Sequence, residues 1–272
     1  MITSLNELLR TAGLTRVGKE IERVALPSIR LIAHRADEAH LRLGTTKIGG
    51  SPDLPQGRAW PASKGSALPF VAQINLSDVV PYDTEHLLPA SGLLYFFFDV
   101  DVFFETWPRD WHTWSVILDR SPISALQRVA MPDGAVTKRR YRSTVLTCSP
   151  ELTLPDYSQY DSTSRERLGL FEELTAEEEQ AYYDVQSQLA GGTETKRHRP
   201  LHRLLGHADP VQWDMHSELP GEAADWRLLF QLDSDSTPHT KWGNTGRIYY
   251  WIRTKDLQQG DFNQAQLILQ ST

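Results

Sequence analysis

The sequence predicts an α+β fold made of two pseudo-repeated antiparallel β-rich halves, with N-terminal helices and an acidic helix inserted between the halves. Two observations carry this. The strand-like runs FVAQIN, GLLYFFF and WSVILD recur later, in the same order, as LLFQLD, GRIYYWI and AQLILQ, each rich in the aromatic and β-branched residues that suit a pleated surface. Helical spacing of apolar residues is instead confined to residues 3–25 and to one stretch in the middle of the chain.

The elements follow in chain order. Leu5, Leu8 and Leu9, then Val17, Ile21 and Val24, mark two short helices, with Ser4 placed to cap the first and Gly13 to break it. Pro27 ends the pattern, and SIRLIAHR and HLRLG read as extended chain before the Gly/Pro-rich loop KIGGSPDLPQGRAWP. The strands PFVAQINL, GLLYFFFDV and WSVILD come next. Further on, ERLGLFEELTAEEEQAYYDVQSQLA reads as an acidic amphipathic helix in which Thr175 and Glu178 have capping-box spacing. GGTETKRHRP then reads as a mobile loop, because two glycines, a charge run and a proline come without apolar anchors. A single domain results, with an N-terminal helical segment (1–38), a first β-rich half (39–120), a connecting region with the acidic helix (121–200) and a second β-rich half (201–272).

The correspondence between halves reaches single residues. Gln73 matches Gln231, Gly92 matches Gly246 and Tyr95 matches Tyr249, while the preceding loops GGSPDLPQ and LGHADPVQ set Gly50, Asp53 and Gln56 against Gly206, Asp209 and Gln212. A duplicated antiparallel unit is the simplest source, and it implies a pseudo-twofold axis with a cleft or a continuous sheet between the halves.

Bulk properties narrow the function. With 28 basic and 35 acidic residues the formal charge is -7, so no global basic field favours nucleic acid or anionic lipid. MITSLNELLR lacks the basic start and apolar run of a secretory signal, and no stretch has membrane-spanning length, which predicts a soluble cytoplasmic protein. Cys148 is the one cysteine, which excludes an internal disulfide and a cysteine-based zinc cage. TVLTCSP reads as a strand running into a turn, where Cys148 packs as a small hydrophobe.

Few residues suggest chemistry. Asp233 and Asp235 fall on one side of a continuing strand and would suit a hard cation, but Asn75 stands at the matching place in the first half. Their plainer use is to end a strand and accept turn hydrogen bonds. Gln73 and Gln231 lie among apolar neighbours and need partners for a carbonyl and two amide protons. Hydrogen bonds around the pseudo-axis are the plain expectation, a ligand in the cleft the sharper one. His207 is a further polar group of such a cleft, but the nine histidines form no convincing metal set, and no metal or cofactor is expected. IGGSP suits a tight turn better than an anion nest. Nucleophile, phosphate-loop and dinucleotide motifs are missing. The basic clusters at Lys138, Arg139, Arg140 and Arg142 and at Lys196–Arg203 are better used in internal pairing than on nucleic acid. For protein contact the candidates are Trp107, Trp111 and Trp114 in or near a loop, and Glu177, Glu178 and Glu179 on the acidic helix.

Taken together, KIGGSPDLPQGRAWP, PFVAQINL, GLLYFFFD, HRLLGHADPVQ, LLFQLDSD and WGNTGRIYYWIRTKDLQQGDFNQAQLILQ resemble the YwqG-like family of bacterial proteins, a domain of unknown function, from about residue 40 onward. The resemblance implies an α+β fold of two related halves, no established activity, and an association with secreted-toxin loci. Asn244 stands in WGNTG where that family more often has a carboxylate, which weakens a metal site built there with Asp233 and Asp235. The expectation is a non-enzymatic protein-binding module, conceived as an immunity-type protein facing a basic toxin. The alternative is a hydrolase or small-ligand-binding protein with a polar cleft between the halves.

Overall fold

The structure is a computed structural model that describes residues 4–105, 113–133, 139–157, 165, 170, 173–191 and 200–272. Its strands are β1 (Leu26–Arg35), β2 (Lys47–Ile48), β3 (Asp53–Pro55), β4 (Ala62–Ser63), β5 (Ser66–Ala67), β6 (Phe70–Asn75), β7 (Leu93–Phe98), β8 (Trp114–Asp119), β9 (Leu126–Arg128), β10 (Thr144–Thr153), β11 (His202–Leu204), β12 (Trp226–Asp233), β13 (Gly246–Arg253) and β14 (Gln266–Ser271). The helices are α1 (Leu5–Thr11), α2 (Gly18–Val24), α3 (Leu76–Val79), α4 (Val100–Glu105), α5 (Ala176–Leu189) and α6 (Thr254–Gln259).

Helix and strand are mixed as expected, around one antiparallel sheet in the order β14-β13-β12-β11-β1-β10-β2-β6-β7-β8. The sheet curls until its ends meet. The Trp114 indole at the start of β8 donates to the Ala265 carbonyl just before β14, at 2.8 Å. Inside the curl lies the main core, where the Phe96 ring of β7 meets Phe230 of β12 and Tyr250 of β13 at centroid distances of 4.7 and 4.9 Å. The outer faces carry smaller cores. One packs Leu54, Phe70, Tyr95 and Phe97 under the β3 loop, and another packs Met215, Trp226, Tyr249 and Trp251 under residues 208–226.

The centre of the sheet comes from segments that the sequence places outside the β-rich halves. β1 and β10 pair from Leu26↔Thr153 to Arg35↔Thr144, so TVLTCSP does not end in a turn but runs on as strand. Pro150 is tolerated there because β10 has β1 on one side and β2 reaches only Thr144 and Val145 on the other, the setting in which a residue without an N–H does least harm. HLRLG, expected as extended, is a short turn and loop instead, because Asp37 caps the Ala39 N–H at 3.1 Å and Gly44 takes a left-handed φ of 78°.

Both N-terminal helices form, with Ser4 accepting from the Glu7 N–H and Gly13 in the left-handed region. The acidic helix is α5, and its capping box closes in both directions: Thr175 Oγ1 accepts from Glu178 N–H while Glu178 Oε2 accepts from Thr175 N–H. α5 buries Tyr182 and Val185 against Leu9, Leu14, Val17 and Ile21, so the helices share one satellite core. The GGTETKRHRP expectation falls on residues 192–199, outside the described residues.

Candidate functional site

The matched glutamines lie at matched hydrogen-bonded clasps. In the first half, Gln73 Oε1 accepts from Asp53 N–H at 2.8 Å, and its Nε2 donates to Asp53 Oδ2 at 2.8 Å and to the Thr45 carbonyl at 2.9 Å. In the second, Gln231 Oε1 accepts from Asp209 N–H at 2.9 Å, and Nε2 donates to Asp209 Oδ2 at 2.7 Å and to the Leu201 carbonyl at 2.8 Å. Tyr95 donates to the Asp53 carbonyl as Tyr249 does to that of Asp209. Both amide protons and the carbonyl of each glutamine are taken, so neither offers a cleft group to a ligand. Each faces its own loop and not its counterpart.

Sequence reasoning missed the cations beneath these clasps. Lys47 lies opposite Gln73 in register and Arg203 opposite Gln231. Each reaches the carbonyl four residues on: Lys47 Nζ that of Ser51 at 2.7 Å, Arg203 Nη1 that of His207 at 2.9 Å. Gly49 and Gly50, at φ of 65° and 69°, are matched by Leu205 and Gly206 at 60° and 72°. The Gly50 N–H donates to the Tyr141 carbonyl and the Ser51 N–H to Glu38, so IGGSP spends its donors on a turn and not on an anion. The signal was available, because KIGGSPD and RLLGHAD set the cation six residues before the aspartate in both loops.

The charges in the second clasp form a buried chain. Arg203 pairs with Asp209 at 2.5 Å and Glu151 at 3.0 Å, and Glu151 also takes Arg30 at 2.6 Å. Burial by itself would raise the Asp209 pKa, but the Arg203 and Arg247 guanidinium groups outweigh it and hold the carboxyl below the usual range.

Asp233 and Asp235 are architecture. Asp233 pairs with Arg247 at 3.1 Å and accepts from Leu201 N–H at 3.0 Å, and its carbonyl takes the Thr240 hydroxyl and the Trp242 indole N–H. Asp235 accepts from Thr237 N–H at 2.7 Å and from His202 Nε2–H at 3.1 Å. The expected cluster with His207 does not assemble: His207 turns away to donate from Nε2 to the Val24 carbonyl at 2.6 Å, and His202 takes its place beside Asp235. His202 Nδ1 accepts from Asp233 N–H at 3.1 Å, so neither ring nitrogen is left to act as a base. Asn244 lies in a turn whose neighbour Trp242 is fully buried.

The other candidates scatter. Trp114 is a core residue of β8 and not a contact group, while Trp107 and Trp111 lie outside the described residues. Glu177 is exposed on α5, Glu178 pairs with Arg16 at 2.6 Å, and Glu179 accepts from the Tyr183 hydroxyl at 3.3 Å. Of the basic clusters, Arg139 pairs with Asp101 and Arg203 is interior, while Lys138 and residues 196–199 lie outside the described residues. Burial pushes the Cys148 thiol up to about 11, far from thiolate chemistry at neutral pH. No group of three metal-ligating residues occurs among the described residues.

One opening remains at the centre of the sheet. β11 pairs only with Ile29–Leu31, so the far edge of β1 from Ile32 to Arg35 has no strand beside it among the described residues. A cavity of about 420 Å³ opens there, lined by Ile32, Ala33, Glu151, His202, Asp235 and Thr237 among others. The matching edge of β10 is filled instead, because the 3-10 turn Val80–Tyr82 that follows α3 packs against it.

The family model described as Domain of unknown function (DUF1963) matches residues 46–271. The chain belongs to that family. The DUF1963 match takes in both clasps apart from Thr45, and every strand of the main sheet except β1. No curated protein matches the chain. Among its described residues no helix is long and apolar enough to cross a membrane.

Proposed function

We propose that this DUF1963 domain is a non-enzymatic binding module that accepts an extended segment of a basic protein partner along the open edge of β1. The observation that carries the reading is that, among the described residues, no strand lies beside Ile32–Arg35 where the 420 Å³ cavity opens. An unpaired strand edge is a template for adding a strand, with main-chain hydrogen bonds giving affinity and side-chain pockets giving selectivity. Ile32 is 46% exposed at the edge, and the formal charge of -7 favours a cationic partner. The dedication of His202 and both aspartates to internal bonds favours binding over catalysis.

We also read the two halves as a duplicated unit with the acidic helix inserted between them in sequence, a reading supported by the paired clasps. The YwqG-like resemblance supports a bacterial, cytoplasmic setting, in which the partner is a basic toxin and the module its immunity protein.

Selection of displayed extended peptides on the immobilised protein tests the binding reading. Enriched peptides are expected to carry Lys or Arg, to bind more weakly as salt rises, to protect the 32–35 amides from exchange, and to lose at least tenfold affinity for Ile32→Arg. Enriched peptides that ignore Ile32→Arg, or no enrichment, would sink it.

A further inference from the structure

A second cavity, of about 300 Å³, lies between the end of α2, the turn after β11 and the outer face of β12 and β13. Its walls are mostly apolar, with Val24, Leu26, Ala208, Trp226, Leu228 and the Trp251 indole prominent. Besides the exposed Arg23 and Arg227, the latter with Nη1 on the Ala224 and Trp226 carbonyls, and the half-buried His216, two polar groups interrupt them. Trp251 is only 4% exposed, yet its Nε1–H has no hydrogen-bond partner among the described residues. Native interiors seldom leave a donor in that state. His207 commits Nε2–H to the Val24 carbonyl, which leaves Nδ1 as an acceptor with no partner among the described residues. Burial drives the His207 pKa down to about 4, so the ring is neutral at pH 7 and that lone pair stays available. His216 stands edge-on to Trp251 at 5.0 Å, with its Nδ1 held by Asp214 at 2.7 Å.

The matching aromatic, Phe97, is covered instead. Phe97 lies two residues beyond Tyr95, as Trp251 lies two beyond Tyr249. Phe97 has no N–H to satisfy, and the Trp60 ring covers it edge-on at 5.5 Å while donating its own Nε1–H to the Leu68 carbonyl. The second half therefore replaces a filled aromatic contact with a space that holds an unused donor and an unused acceptor.

We propose that this hollow is a binding site for a small uncharged aromatic amide. Its ring would lie on the apolar wall, its carbonyl would accept from Trp251 Nε1–H, and its amide would donate to His207 Nδ1. The volume sits at the small end of ligand pockets and suits roughly ten non-hydrogen atoms. A carboxylate has no proton for His207, and an ammonium has no acceptor for Trp251.

The test follows the Trp251 indole signal in proton–nitrogen spectra, assigned by its loss in Trp251→Phe, during titration with benzamide, benzoate and benzylamine. Benzamide is expected to shift that signal saturably with a Kd on the order of 1 mM, at least fivefold tighter than the other two, and His207→Leu is expected to weaken it at least fivefold. Ala224→Trp, at the exposed mouth of the cavity, is expected to abolish the response and serves where Trp251→Phe does not fold. A signal unmoved by about 10 mM benzamide, equal shifts from all three probes, or a response that survives Ala224→Trp would overturn the proposal.

Discussion

Lys47 and Arg203 hold the same place beneath two matching clasps, but the anions that meet them are more open to water in the first. Lys47 ends on Glu38, whose side chain is 29% exposed, whereas Arg203 ends on Glu151 and Asp209, at 3% and 16%. The backbone bonds of the two turns are alike, from the glutamine amide to the left-handed pair of residues. What differs is how much charge has been taken out of water to make them. One backbone solution is thus compatible with two electrostatic environments, and the two should respond differently to the same substitution.

The largest difference is expected from removing the cation. Arg203→Met leaves the buried Glu151 with Arg30 alone and takes from Asp209 its ion-pair partner, and should cost about 3–5 kcal/mol. Lys47→Met leaves Glu38 able to rehydrate and Asp53 still paired with Arg128 at 2.9 Å, so a loss of about 1–2 kcal/mol is expected. Urea midpoints at constant m-value measure both, and equal losses would erase the contrast. Acid should separate the halves next. His207 has a folded pKa depressed to about 4, mainly by burial, so the unfolded chain binds the extra proton between about pH 6.5 and 4. Its contribution is complete above 6.5 and is lost as pH falls through that window, up to about 3 kcal/mol. The matching residue, Ser51, does not titrate, so His207→Asn should flatten the stability profile over that range in calorimetry at stepped pH. The Asp209 carboxyl is depressed below the usual range, so its share goes only below about pH 3.8. Gln73→Leu and Gln231→Leu come after these, at about 1–3 kcal/mol each, because both strand an aspartate N–H and a loop carbonyl.

Much of this fold was legible because it is local. The two helices, the Thr175 cap and the strands β6, β7, β8, β12, β13 and β14 follow from periodicity and turn chemistry, and the Gln, Asp and Tyr matches led to both clasps. β1 and β10 were harder to place. Each meets a proline, and neither has a counterpart among the recurring strand motifs, so nothing in their own residues says that they pair with one another across 109 positions of chain, at Arg35↔Thr144, to 127, at Leu26↔Thr153. The site was least legible where chemistry depends on approach. His202 and His207 look alike as residues, and only the fold decides that one meets Asp235 while the other meets the Val24 carbonyl. The cavities were illegible for the same reason: among the described residues no element covers Ile32–Arg35 as the Val80–Tyr82 turn covers β10, and no indole covers Trp251 as Trp60 covers Phe97.

The smallest effect expected is the most discriminating for that last difference. Trp251→Phe gives the second half the residue type that the first has at Phe97. It removes apolar area worth about 1 kcal/mol, and it also removes an N–H whose unpaired burial costs a similar amount. The two terms oppose each other, so the net change in stability should stay below about 1 kcal/mol. The same substitution at Trp114, whose N–H is bonded to the Ala265 carbonyl, strands that acceptor and loosens the join between the sheet ends, and it should cost about 1–3 kcal/mol. Chemical denaturation of the two variants side by side makes the comparison. If Trp251→Phe cost as much as Trp114→Phe, the Trp251 donor would have to be satisfied in the folded protein, and the hollow beside it would be packing and not a place kept for a ligand.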